Sequence, residues 1–470
     1  MKHFRCIINL LKKINKGVIH MADSLYTKNN IIGRLFSYFK IYFESCSLPT
    51  AENLFLIILS MLAVESADSI RLLYRHFLSK ISSKSLNAFY YACSYARVDY
   101  SRFMNITLRI ALALIPKNLR NEPVFLNTDD TVMPKSGTKF EDVAKLYDHA
   151  AHGGSNYLNG HCFVSLMLCI PVWNGNKISY LSVPLGYRLW NGELTKLELA
   201  AEMVRSVMPE LHSVHQVFLL FDSWYAKKTL LCLAGEYPNL EIICNARSDS
   251  ALYDFPKPRT GKKGRPAKRG KRLSVLHDFP LSAEKIGEYY TGCRKVMTNL
   301  FGDYPVYAYV TAPARTADSR RLFFCTVDPA RIRISCAWYE KALLNQTGCE
   351  WMQYIPLFLY SVRWNIEVSY YEQKTFWSLC AYMLRSRKGI EHFVNLVNIA
   401  YCAMKILPFQ NEKYAPYKMG SVQECRFLLS EQIKQQVFFA TFVKNVETAI
   451  KSNALLKAIK SVLLSFGYHG

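Results

Sequence analysis

Two short apolar runs that each end in a carboxylate constrain this chain more than any other feature. PVFLNTDD (Pro123 to Asp130) and HQVFLLFDSWY (His215 to Tyr225) are too short and too evenly apolar for helices with a wet face. Both read as short apolar strands. Between them, HCFVSLMLCIPVW and ISYLSVPLGYRLW flank the turn residues Asn174, Gly175 and Asn176, the pattern of paired strands. The helical segment LTKLELAAEMVRSVMPEL follows them, and LEIICNARSD is a fifth strand behind a further helix. Strands with a late helical crossover predict an α/β domain with a mixed sheet.

The flanking regions have other textures. Up to residue 118 the periodicity is helical, with Thr50 placed to cap AENLFLIILSMLAV and Pro116 placed to stop the last helix. Short helices with interspersed Arg and Lys fit a helix-turn-helix DNA reader and a plain bundle equally well. From residue 249 the chain turns β-rich, with KVMTNLF, YPVYAYVTA and RRLFFCTV as strands behind the basic run KPRTGKKGRPAKRGKR. From residue 348 it is helical again. The predicted organisation is a helical N-terminal DNA-binding domain (1–118), the first part of a catalytic core (119–248), a β-rich insertion with the basic loop (249–347), the second part of the core (348–410) and a helical C-terminal region (411–470).

Lys and Arg number 59 against 36 Asp and Glu, a formal charge of +23 in 470 residues. That excess favours a polyanionic partner. Runs such as LFLIILSMLAV fall short of the ~20 residues needed to span a bilayer, so no membrane partner is expected. The N-terminal MKHFRCIINLLKKINKGVIH is broken by Lys12 and Lys13 and reads as an amphipathic helix rather than a signal peptide. The fourteen cysteines show no CxxC pair and read as buried reduced thiols of a cytoplasmic, nucleoid-associated protein. His149, His152 and His161 fit no zinc spacing and read as loop or core residues.

Three acids then stand out. Asp130 and Asp222 lie where apolar strands run out, the position that faces the ligand crevice of an open α/β sheet. Glu367 lies in YSVRWNIEVSYYEQK (Tyr360 to Lys374), where Tyr360, Arg363, Glu367 and Lys374 fall within an arc of roughly 60° on one helix, flanked by Leu359, Val362, Trp364 and Ile366. Taken singly, a strand-end Asp caps a turn and a helical Glu four residues from an Arg makes a surface pair. Together the three make a hard-oxygen set suited to Mg²⁺ and to metal-assisted phosphoryl transfer.

The spacing Tyr-x2-Arg-x3-Glu-x6-Lys, with TDDTVMPKSG at the first Asp and FDSWY at the second, resembles the insertion-sequence type-four family of DDE transposases over roughly residues 120 to 405. That resemblance implies an RNase H-like mixed sheet flanked by helices and interrupted by a mainly β insertion. It implies that Asp130, Asp222 and Glu367 hold two Mg²⁺ ions, for which Mn²⁺ substitutes. Asp130 is preferred to Asp129 because it precedes Thr131, as the family's catalytic Asp precedes a Thr. Only one of the two can face the cleft, since side chains alternate along a strand. Arg363, Lys374 and Tyr360 would hold flanking phosphates. Arg265, Lys268 and Arg269, in GRPAKRG, fit either a minor-groove hook or a solvated loop. Trp338 would stack an extruded base or pack in the core.

The activity implied is cut-and-paste transposition by a homodimer on double-stranded DNA, with cleavage at terminal inverted repeats and strand transfer into target DNA. The alternatives are a catalytically inactive, repurposed DNA-binding protein of the same fold and a nuclease without strand transfer.

Overall fold

The structure is a computed structural model and describes residues 30–66, 68–137, 139–147, 156–258, 267–334, 353–451 and 461. Arg265, Trp338, His149, His152 and the N-terminal amphipathic segment lie outside those residues. Contacts divide the chain into two units, one of residues 1–92 with 421–470 and one of residues 93–420. The boundary at 92/93 differs from the expected 118, because the helix Tyr100–Leu112 packs on the sheet of the second unit.

In the first unit, α1 (Ile31–Phe39) and α2 (Leu48–Ala63) pack against the long C-terminal helix Val422–Lys451. Helix α2 begins two residues before Thr50, with Pro49 in its first turn, where a missing N–H and a preset φ cost nothing. Ser430 Oγ donates to Ala63 O at 2.9 Å and Arg426 Nη2 to Glu65 O at 2.8 Å, satisfying carbonyls at the end of α2 and just beyond it.

The second unit is built on one mixed sheet of eleven strands among the described residues. Its heart is β1 (Val124–Pro134), β3 (Tyr157–Asn174), β4 (Lys177–Leu189), β5 (Val217–Phe221) and β6 (Leu240–Ala246). The short strand β2 (Ala144–Tyr147) pairs with the start of β3. Strand order β4-β3-β1-β5-β6, antiparallel through β4, β3 and β1 and parallel through β1, β5 and β6, is the RNase H-like arrangement. Every residue of β5 is buried, as a strand covered on both faces requires. The β-rich stretch continues this sheet: β11 (Arg321–Cys325) pairs with β6, then β10 (Val306–Ala312), β9 (Tyr290–Thr298) and the two-residue strands β7 (Leu252–Tyr253) and β8 (Arg272–Leu273) follow.

Two helices position the site. Helix α3 (Lys196–Val207), capped by Thr195 and Glu198 in a reciprocal capping box, packs on β3 and β1. The Tyr360–Lys374 stretch is one helical path in three pieces rather than a single α-helix: α4 (Ile355–Tyr360), a 3₁₀ turn Ser361–Trp364 and α5 (Asn365–Phe376). Behind it lies α6 (Arg387–Gln410), 24 residues and apolar enough by composition to cross a membrane. With 83% of its most apolar window buried against the rest of the fold, it is a core helix.

Candidate active site

Asp129 and Asp130 lie inside β1, which runs on to Pro134 rather than ending at the acids as expected, because Thr131 to Pro134 keep pairing with β3. There the two part company. In the antiparallel register Asp129 stands opposite Ser165 and Asp130 opposite Val164, so their side chains leave opposite faces of the sheet. Asp129 points to the 3₁₀ turn, where its Oδ2 accepts from Arg363 Nη2 at 2.6 Å. The same nitrogen lies 3.4 Å from Glu367 Oε1, one turn further on. Asn127, two residues before Asp129 and fully buried on the same face, ties that turn to the sheet by donating to Val362 O at 2.9 Å.

Asp130 faces α3 instead. Its Oδ2 accepts from Lys196 Nζ at 2.8 Å and from the Cys162 thiol at 3.1 Å, and its Oδ1 accepts from the Tyr225 hydroxyl at 3.0 Å. Asp130, the residue preferred from the sequence, thus faces away from Glu367. Alternation allows only one of the two on the face of Glu367, and that one is Asp129.

Asp222 follows β5 directly, and its Oδ1 accepts from the backbone N–H groups of Trp224 (3.0 Å) and Tyr225 (3.2 Å). It thus makes the turn that a strand-end Asp commonly makes. It also stands within electrostatic reach of Asp129, whose carboxyl is held well above the usual range. Burial is the main cause; Arg363 opposes it, and Asp222, Glu367 and Asp130 reinforce it. Burial also disfavours the charged Arg363, but Asp129, Tyr360, Asp222 and Glu367 outweigh it and hold the guanidinium above its ordinary pKa. Asp129 and Glu367 thus share one cation, and Asp222, just past the end of β5, stands within electrostatic reach of it.

The rest of the stripe also turns to the sheet. Tyr360 OH donates to Phe221 O at 3.2 Å, next to Asp222, and Lys374 Nζ donates to Val132 O at 3.1 Å. Leu359, Val362 and Ile366 are buried beside it, whereas Trp364 is 66% exposed. In the basic loop, Lys268 pairs with Asp303 at 3.3 Å, both well exposed, and Arg269 lies over the Tyr253 ring at 5.2 Å. His161 is a core residue, hydrogen-bonded to the Tyr382 hydroxyl (2.7 Å) and Glu141 O (2.8 Å).

Among the described residues no three His, Cys, Asp or Glu side chains lie close enough together to hold a metal ion as they stand. By donor chemistry, however, Asp129, Asp222 and Glu367 fit a hard divalent cation, which favours a few carboxylates together with water and phosphate oxygens. The positive charge that bridges two of them here is Arg363.

Lys196 was not singled out by its sequence, although a signal exists. It is the first residue of a helix, where the positive end of the macrodipole disfavours a cation. A lysine there implies an acidic partner outside the helix, and Asp130 is that partner.

Residues 54–287, just under half of the chain, match a family model described as DDE superfamily endonuclease. The matched span contains Asp129, Lys196 and Asp222 and stops ahead of Arg363 and Glu367. No curated protein matches the chain. The family match supports an endonuclease of the DDE type, a class that acts on DNA with divalent metal ions.

Proposed function

We propose that the chain is a DNA transposase of the insertion-sequence type-four group, with Asp129, Asp222 and Glu367 as its metal-binding acids. The observation that carries this reading is that Asp129 in β1 and Glu367 on the helix share Arg363, with Asp222 at the end of β5 within electrostatic reach of both Asp129 and Arg363. Two Mg²⁺ ions held there would activate the attacking water or 3′-hydroxyl and stabilise the leaving oxygen of the phosphodiester. Arg363 holds the acids together and, lying beside them, is placed for bidentate contact with a phosphate. Lys374 and Tyr360 extend the same stripe for phosphates on either side. The substrate is double-stranded DNA bearing terminal inverted repeats, and a homodimer pairs two ends.

The test is nicking of a duplex that carries the element's own end sequence, with Mg²⁺ and with EDTA. Asp129→Asn, Asp222→Asn and Glu367→Gln should each lose at least about 10³-fold in rate, since each removes a group acting on the transition state. Asp130→Asn should lose far less. A wild-type protein that binds the duplex without cutting it in Mg²⁺ would make this an inactive DNA-binding protein. Abolition of cutting by Asp130→Asn alone would return the metal to the other face of β1.

A further inference from the structure

We propose that Lys196 is a second phosphate-binding cation of the cleft, on the face of β1 opposite Arg363, and that Asp130 is the residue that positions it. The inference rests on the reading of this cleft as a DNA site. Adjacent residues of β1 send one carboxylate to each side, and each meets a cation: Asp129 meets Arg363, and Asp130 meets Lys196 at 2.8 Å. A strand of nucleic acid laid over the end of β5 and the adjacent middle of β1 therefore runs between two basic walls. The sequence stripe supplies one of them, and Lys196 supplies the other.

The lysine is held rather than free. Its ammonium lies 5.3 Å from the ring of Trp224 and 5.9 Å from that of Trp190. Trp224 is 47% exposed, two residues from Asp222. Asp130 in turn is fixed by the Tyr225 hydroxyl and the Cys162 thiol, so the anchor does not swing with the lysine. The side chains of Lys196 and Asp130 remain about one-fifth exposed, which leaves the pair accessible from the cleft. An ammonium has three donors, so a bond to one carboxylate oxygen does not exhaust it. A cation among aromatic rings is a combination that nucleic-acid sites use, the cation for the backbone and the exposed ring for a base.

The pair predicts effects of opposite sign. With Lys196→Met, the attraction is lost and Asp130 is left facing the phosphate. With Asp130→Asn, the side-chain amide oxygen can still accept from the ammonium, whose charge is no longer shared. The assay is fluorescence anisotropy of a labelled duplex of arbitrary sequence, in EDTA, over a salt series. Lys196→Met should weaken binding about tenfold or more and reduce the slope of log K against log salt by about 1. Asp130→Asn should tighten it several-fold, and the double variant should fall between.

If both single variants weaken binding equally, or neither changes it while the wild type binds, Lys196 does not contact phosphate. A wild type that fails to bind DNA at all would instead remove the underlying reading of the cleft. Unfolding curves for each variant separate loss of contact from loss of fold.

Discussion

Replacing Arg363 by Met removes the one cation that faces Asp129 and Glu367 and keeps most of the side-chain volume. The two ion pairs are unequal. Asp129 and Arg363 are 12% and 14% exposed at 2.6 Å, whereas Glu367 is 39% exposed at 3.4 Å. The second pair is worth a few tenths of a kcal/mol to about 1 kcal/mol in so wet a setting. The first is buried, and stripping one partner from a buried pair costs about 3–5 kcal/mol because a charge is left without compensation. The variant should therefore lose about that much in urea unfolding of the full chain at neutral pH in EDTA.

Mg²⁺ should then act differently on the two proteins. In the wild type the guanidinium offsets part of the acids' charge, so the ion stabilises the fold less than it would without it. In the variant the acids are bare, and ion at a hundredfold its dissociation constant returns about 2.7 kcal/mol. An R363M protein as stable as wild type, or one that responds to Mg²⁺ no more than wild type does, would refute the picture of Asp129 and Glu367 held by one guanidinium.

Burial keeps the His392 imidazole neutral, with its pKa lowered from 6.5 to about 4. Between those values the unfolded chain binds the extra proton, so the stability from His392 is complete above pH 6.5 and drains away as pH falls to 4, by about 3 kcal/mol. Urea midpoints of His392→Gln across this range should show a flatter pH dependence. Gly160 pairs with Pro134 of β1, and a Cβ on it would meet the Met133 carbonyl oxygen at 2.5 Å. Gly160→Ala should cost about 1–3 kcal/mol, read as a shift of the urea midpoint, because a backbone atom must move.

The strands were legible because each carries a run of apolar residues bounded by turn or polar residues. β3, β4, β5, β6 and β10 fall where PVFLNTDD, its neighbours and YPVYAYVTA predict, and β1 begins within the first of these runs. The stripe from Tyr360 to Lys374 was legible as a period, but not its 3₁₀ turn, since the tightening is set by contacts such as Asn127 to Val362 O between residues 235 apart. The choice between Asp129 and Asp130 was not legible. Alternation says that they part, but which face carries Arg363 and which carries Lys196 depends on where two distant helices pack. Nor does any local pattern announce that β11 joins β6, because strand pairing across so long a loop is decided by the edge that β6 leaves open.

The continuation of the sheet through β11, β10 and β9 sets a schedule as well as a shape. A growing chain completes β1 and β5 with their acids early, since domains fold as they are synthesised. The helix that brings Arg363 and Glu367 comes only after the whole extension has been made. A nascent or truncated chain lacking that helix holds two of the three acids and neither Glu367 nor Arg363, so the site stays incomplete until the last part of the sheet's own domain is made.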